Sequence, residues 1–197
     1  MNVRLKKTFT WYAAIVYGDR FLINHYTAEI SMITVTADND EQNIAYERTK
    51  MFIRDVIDGS VMISQNSPNL GLYQKIGTKI LVLPEEPFDQ IVGMMLYLKL
   101  NAVMENRMVV TDVELQSHAG DTMNYLHSAG ESVGPLEQEG WWLDSRPTWA
   151  NSPEKPRSKI VNLSRSPEWA DHGLDWTDGK NSSDSVVFAK FDRNEDK

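Results

Sequence analysis

The chain has 197 residues, 41% hydrophobic and 24% charged, the proportions of an ordinary globular protein and enough length to bury a core without staples. Its 28 acidic against 20 basic residues leave a net charge of −8, which argues against broad binding of a phosphate backbone. With 0 Cys, disulfides, thiolate nucleophiles, zinc ribbons and iron–sulfur ligation are excluded, and a reducing, cytoplasmic setting is expected.

Met1 to Lys7 is basic, but Thr8 to Tyr17 is interrupted by Thr and Tyr and lacks a small-residue cleavage site, so no targeting segment is expected. Thr8 to Tyr17 and Phe21 to Thr36 are rich in aromatic and β-branched residues, and Gly18-Asp19-Arg20 between them supplies turn chemistry. A hairpin follows. In its second strand Leu22, Asn24, Tyr26, Ala28, Ile30 and Met32 form an alternate set that becomes apolar toward its end, so one face there is covered and the other wet.

Asp38-Asn39-Asp40-Glu41 opens a helix, with short acceptors to cap free N–H groups and acids at the positive end of the dipole. Ala45, Thr49, Phe52, Ile53 and Val56 fall on one face, Glu47, Lys50, Arg54 and Asp58 outside it, and Gly59 ends it. Val61 to Ser64 and Lys79 to Leu83 read as strands around an irregular or helical turn, Pro68 to Ile76. Pro84-Glu85-Glu86-Pro87 starts a second helix. Phe88, Ile91, Val92, Met95, Leu96, Leu98 and Val103 cover most of its circumference, so it is packed on more than one side. Its run Ile91 to Leu100 contains Lys99 and falls short of the roughly 20 residues a bilayer span needs, so no membrane partner is expected. Met108 to His118 is the last clear strand. The order β-β-α-β-β-α-β predicts an α+β core over residues 1–119, an antiparallel or mixed sheet with both helices on one face.

After Ala119 the composition changes. Of the 6 Trp, only Trp11 precedes it. Trp141, Trp142, Trp149, Trp169 and Trp176 lie among five prolines and many Gly, Ser, Asn and Asp. The core carries 11 basic against 14 acidic residues, the remainder 9 against 14. Residues 120–197 therefore read as an extended C-terminal arm with aromatic anchors that need a surface, and Val186 to Phe191 as a possible strand within it. Those rings either dock on a neighbouring subunit or partner, or pack back on the chain's own sheet.

Among chemical constellations, His118, Asp121 and His127 form the sharpest one, two imidazoles and a carboxylate of the kind that holds zinc or iron in a metal-dependent hydrolase. Their spacing matches no specific motif. Asp112 and Glu114 share a strand face, as carboxylates on a solvated sheet do. Gly130-Glu131-Ser132-Val133-Gly134 spells GxSxG, with Asp171 and His172 downstream, yet no buried strand precedes it and Pro135 follows, so it reads as a Gly-rich loop. Ser152-Pro153-Glu154-Lys155 spells SxxK between prolines. No phosphate-cradling motif occurs, and no cofactor is expected. Arg4, Lys6 and Lys7 before Trp11 are the candidate contacts of a nucleic-acid-binding accessory protein, and Lys155, Arg157, Lys159 and Arg165 form a second basic stretch. The net charge opposes that reading.

Three segments, Thr8-Phe9-Thr10-Trp11-Tyr12-Ala13, Leu83-Pro84-Glu85-Glu86-Pro87-Phe88-Asp89-Gln90-Ile91 and Gly140-Trp141-Trp142, resemble small uncharacterised proteins of large contractile-tailed bacteriophages. The resemblance implies a viral protein acting in the host cytoplasm and carries over no activity and no functional residue. The expectation is a non-enzymatic protein that self-associates as a homo-oligomer or binds another protein, with the Trp-rich arm as contact segment.

Overall fold

The long hairpin organises the molecule. In the computed structural model, which describes residues 3–76, 79–119, 123–149 and 168–177, β1 (Arg4–Tyr17) and β2 (Arg20–Thr34) pair antiparallel along their whole length. At about 3.3 Å per residue these strands run over 45 Å, well beyond the usual five or six residues. Gly18 takes φ +55° at the turn, a conformation open to glycine at no steric cost.

The remaining strands add on both sides to give one mixed sheet of six, in the order β4-β3-β1-β2-β5-β6. β3 (Ser60–Ser64) lies parallel to β1, and β4 (Ile80–Leu83) parallel to β3. β5 (Met108–Ser117) pairs antiparallel with β2, and β6 (Tyr125–Ser128) antiparallel with β5. Residues beyond Ala119 thus contribute an edge strand to the sheet, an element that four residues were too few to announce.

Helix α1 (Asn39–Met51) starts where the acidic run predicts: the Asp38 carboxylate accepts from the N–H groups of Asp40 and Glu41. It passes into a wider π-helical turn, Phe52–Ile57, that buries Phe52, Ile53, Val56 and Ile57. Helix α3 (Asp89–Met104) begins two residues after Pro87. Both cover one face of the sheet, against Trp11, Ala13, Ile15, Tyr26, Ala28, Ile30, Met32, Val113 and Leu115. The short α2 (Leu70–Ile76) lies on the other face, where Leu70 and Tyr73 pack on Val16, Val61, Ile63 and Ile80. The architecture is α+β. No helix among the described residues is long and apolar enough to cross a membrane.

Candidate interaction surfaces

The two central tryptophans of the arm are core residues. Gly140 precedes a single turn, Trp141–Leu143, that seats both indoles against α3 and the sheet, exposing 2% of Trp141 and 3% of Trp142. Trp141 Nε1 donates to the Val82 carbonyl at 2.8 Å on the edge strand β4, and Trp142 Nε1 to the Leu136 carbonyl at 2.9 Å. Lys99 holds the turn from below. Its side chain is fully buried, and Nζ donates to the carbonyls of Trp141 (3.0 Å), Asp144 (2.5 Å) and Arg146 (2.8 Å). Burial pushes this amine down to about 7, with Arg146 reinforcing and Asp144 opposing the shift. The apolar circumference of α3 is explained by this cover.

Trp149 is half-buried against the same core. Trp169 and Trp176 belong to a strap, residues 168–177, built around Arg48 of α1. The Arg48 guanidinium lies 4.7 Å from the centre of the Trp169 ring and 3.6 Å from that of Trp176. Its Nε donates to the Leu174 carbonyl at 2.8 Å, and Nη1 to Glu105 at 2.8 Å and the Val103 carbonyl at 3.3 Å. Glu105 reaches it from a left-handed residue (φ +44°) closing α3, a conformation that costs a non-glycine residue about 1 kcal/mol or more. Glu41 pairs with Arg107 at 3.0 Å and accepts from the backbone N–H and hydroxyl of Thr177. An open depression of about 300 Å³ borders the strap's end, lined by Thr36, Asp38, Glu41, Arg107 and Thr177. The rings Trp141, Trp142 and Trp169, expected as partner contacts, are buried within the chain's own fold, where α3 and Arg48 supply cover.

Among the described residues, the two histidines of the candidate metal site, His118 and His127, do not come together. His127 pairs across β6 with Val113 and is buried with its ring edge-on to Tyr97 at 4.6 Å. His118 is exposed beyond the other end of β5. Five residue positions along a strand separate it from the His127 rung, about 16 Å, far beyond a shared metal ion. Asp121 lies outside the described residues, and among those described no group of three or more His, Asp or Glu could hold a metal. His127 keeps Nδ1 at 3.6 Å from Glu131, and its buried Nε2 has no partner among the described residues. Asp112 accepts from Ser128 and Glu114 from Asn124. Ser132 donates to Glu137 and accepts from Gly134 N–H, and Asp171 closes a reciprocal cap with Glu168. No nucleophile elbow forms. Ser152–Lys155, the basic residues 155–165 and residues 186–191 lie outside the described residues.

The basic N-terminal platform also separates. Trp11 faces the helices and stacks on Tyr26 at 5.3 Å, while Lys6 is on the opposite face, ion-paired with Glu29 and near Asp112 and Glu114. Alternation along β1 puts the ring and that charge on opposite sides. Arg4 and Lys7 are exposed.

A different surface stands out. On the outward face near the hairpin turn, Tyr12 (59% exposed), Phe21 (51%) and Ile23 (74%) sit on neighbouring rungs. Phe21 stacks on Tyr73 of α2, whose Leu72 and Ile76 are also exposed. β5 pairs with β2 only from Tyr26 onward. Arg20–Ile23 therefore extends past it, and that side of the strand carries no ladder among the described residues. The sequence signal for this was available, the unbroken apolar triplet Phe21-Leu22-Ile23 beside the turn, but it reads equally as core.

No protein-family model and no curated protein matches the chain. Among solved structures, an uncharacterized protein of Wolinella succinogenes is similar over 66% of this chain and 99% of its own, at 11% identity and a TM-score of 0.45.

Proposed function

We propose that the protein is a non-enzymatic self-assembly protein whose contact is the overhanging edge of β2. The observation that carries this reading is the apolar stretch Phe21-Leu22-Ile23 on an edge that no strand among the described residues ladders with, beside exposed Tyr12 and against Tyr73 of α2. Natural proteins protect such edges with charge, proline or a bulge, and this one has none between Phe21 and Ile23. Tyr12, Phe21 and Ile23 share the outward face and present on the order of 100 Å² each at such exposures, so the patch reaches about 300 Å², the range in which the largest apolar patch of a monomer is often functional.

A second copy is the partner that suits it. Two identical edges pair antiparallel about a two-fold axis without further design, and the turn residues Asp19 and Arg20 offer each copy an acid and a base for reciprocal contact. The resemblance to phage proteins extends this proposal to a viral protein acting in the host cytoplasm and adds no residue to the contact.

Sedimentation velocity on the full chain tests this, with Ile23→Lys as the comparison. Ile23 is 74% exposed, so the substitution should leave folding within about 0.5 kcal/mol while placing like charges across the two-fold. The expected result is a dimer or larger species that Ile23→Lys dissociates with an unchanged circular dichroism spectrum. A wild-type chain that stays monomeric at every concentration reached overturns the proposal.

A further inference from the structure

The strap shows features of a bound peptide. Its ten residues form no ladder with any strand among those described. Its shape is set largely by its own bonds: the Glu168–Asp171 cap, Gly173 at φ +67°, and Leu174 N–H to the Trp169 carbonyl at 2.9 Å. It meets the body of the protein through a few anchors. Trp169 Nε1 donates to the Ser145 carbonyl at 2.7 Å, Arg48 takes the Leu174 carbonyl and both ring faces, Arg107 lies 4.5 Å from the Trp176 ring, and Glu41 holds Thr177. Aromatic and arginine anchors with a preformed ligand are the pattern of a docking site in which a few residues supply most of the affinity. The charges agree at one point, since Asp175 of the strap acts on Arg48.

The strap is tethered by residues 150–167, and eighteen residues reach at most about 60 Å. The same anchors would be made whichever copy supplies the strap, so the choice is set by the concentration of each strap around the groove and not by contact energy. We propose that this groove is a peptide-docking site and that the strap of a second copy of the chain can occupy it in exchange for its own.

The proposal does not depend on the hairpin edge, and its test can be run with that edge disabled. A full-length chain carrying Trp169→Ala, Trp176→Ala and Ile23→Lys has an incompetent strap and an open groove. Titrated with a fluorescently labelled synthetic peptide of natural sequence 166–180, it should show saturable binding by anisotropy. Binding should weaken about tenfold or more when the peptide carries Trp176→Ala, or when the chain also carries Arg48→Ala. The otherwise wild-type chain with Ile23→Lys, whose own strap competes, should bind the peptide at least about tenfold more weakly than the strap-disabled chain. No saturable binding by a strap-disabled chain that keeps its circular dichroism spectrum overturns the proposal.

If that chain does not hold its fold, the strap-intact chain takes its place with the labelled peptide in large excess. Incorporation that Trp176→Ala in the peptide abolishes supports exchange, and no incorporation overturns it. To read exchange between whole chains, an Arg48→Ala/Ile23→Lys chain is mixed with the strap-disabled chain. A one-to-one complex absent from either protein alone is the expected result, and two populations of monomers the contrary one.

Discussion

Replacing Lys99 by Met gives the most direct probe of how the Trp141–Leu143 turn is held. Lys99 is buried and its Nζ faces three backbone carbonyls. Loss of hydration pushes its folded pKa from 10.5 to about 7, while the unfolded chain keeps the ordinary value. Between those limits the unfolded state binds more protons, so the wild-type protein gains stability as pH rises through the window and loses it as pH falls toward 7. The whole gap corresponds to about 5 kcal/mol at about 1.4 kcal/mol per pH unit, and the part between pH 7.5 and 9.5 to about 2 to 3 kcal/mol. Methionine has similar length and no titrating group. In denaturant titrations of both proteins, the stability of wild type minus that of Lys99→Met should therefore rise by about 2 to 3 kcal/mol from pH 7.5 to 9.5. Groups common to both proteins cancel in that difference. The neutral amine still offers two N–H donors, so the site remains occupied as the proton leaves. A difference that stays constant across the window would refute the reasoning, because it would mean that three carbonyls solvate the ammonium as well as water does.

Two further outcomes follow from packing and capping. At Gly140 an added Cβ would lie 2.3 Å from a carbon of the Trp142 ring, which is buried and fixed by its bond to Leu136. Gly140→Ala should destabilise the protein by about 2 to 3 kcal/mol, typical of overpacking, read as a lower denaturant midpoint. Asp38→Ala removes the acceptor for two N–H groups at the start of α1 and should cost about 1 kcal/mol by the same measurement.

Local chemistry made much of the fold legible. The turn at Gly18, the cap at Asp38 and the alternating residues of β2 each act over a few neighbouring positions, and the structure places hairpin and helix where those signals lie. The breadth of the apolar surface on α3 correctly required a second cover. Its identity was undetermined, since nothing in Trp141 or Trp142 by themselves distinguishes a neighbour's groove from the chain's own. The burial of Arg48 comes from residues distant in the chain, Trp169 and Trp176 over its guanidinium and Val103 and Glu105 at the end of α3.

By itself the sequence determined the periodicities, the caps, the absence of thiol chemistry and the need to bury five indoles beyond residue 119. Tertiary structure alone decided which surface received those rings, on which face of the sheet Trp11 and Lys6 fell, and that His118 and His127 stand on distant rungs. The physical reason is range. Backbone preferences and periodic burial are settled within one or two turns of chain, whereas an indole's partner, a lysine's acceptors and a strand's open edge depend on residues that meet only after the sheet has closed.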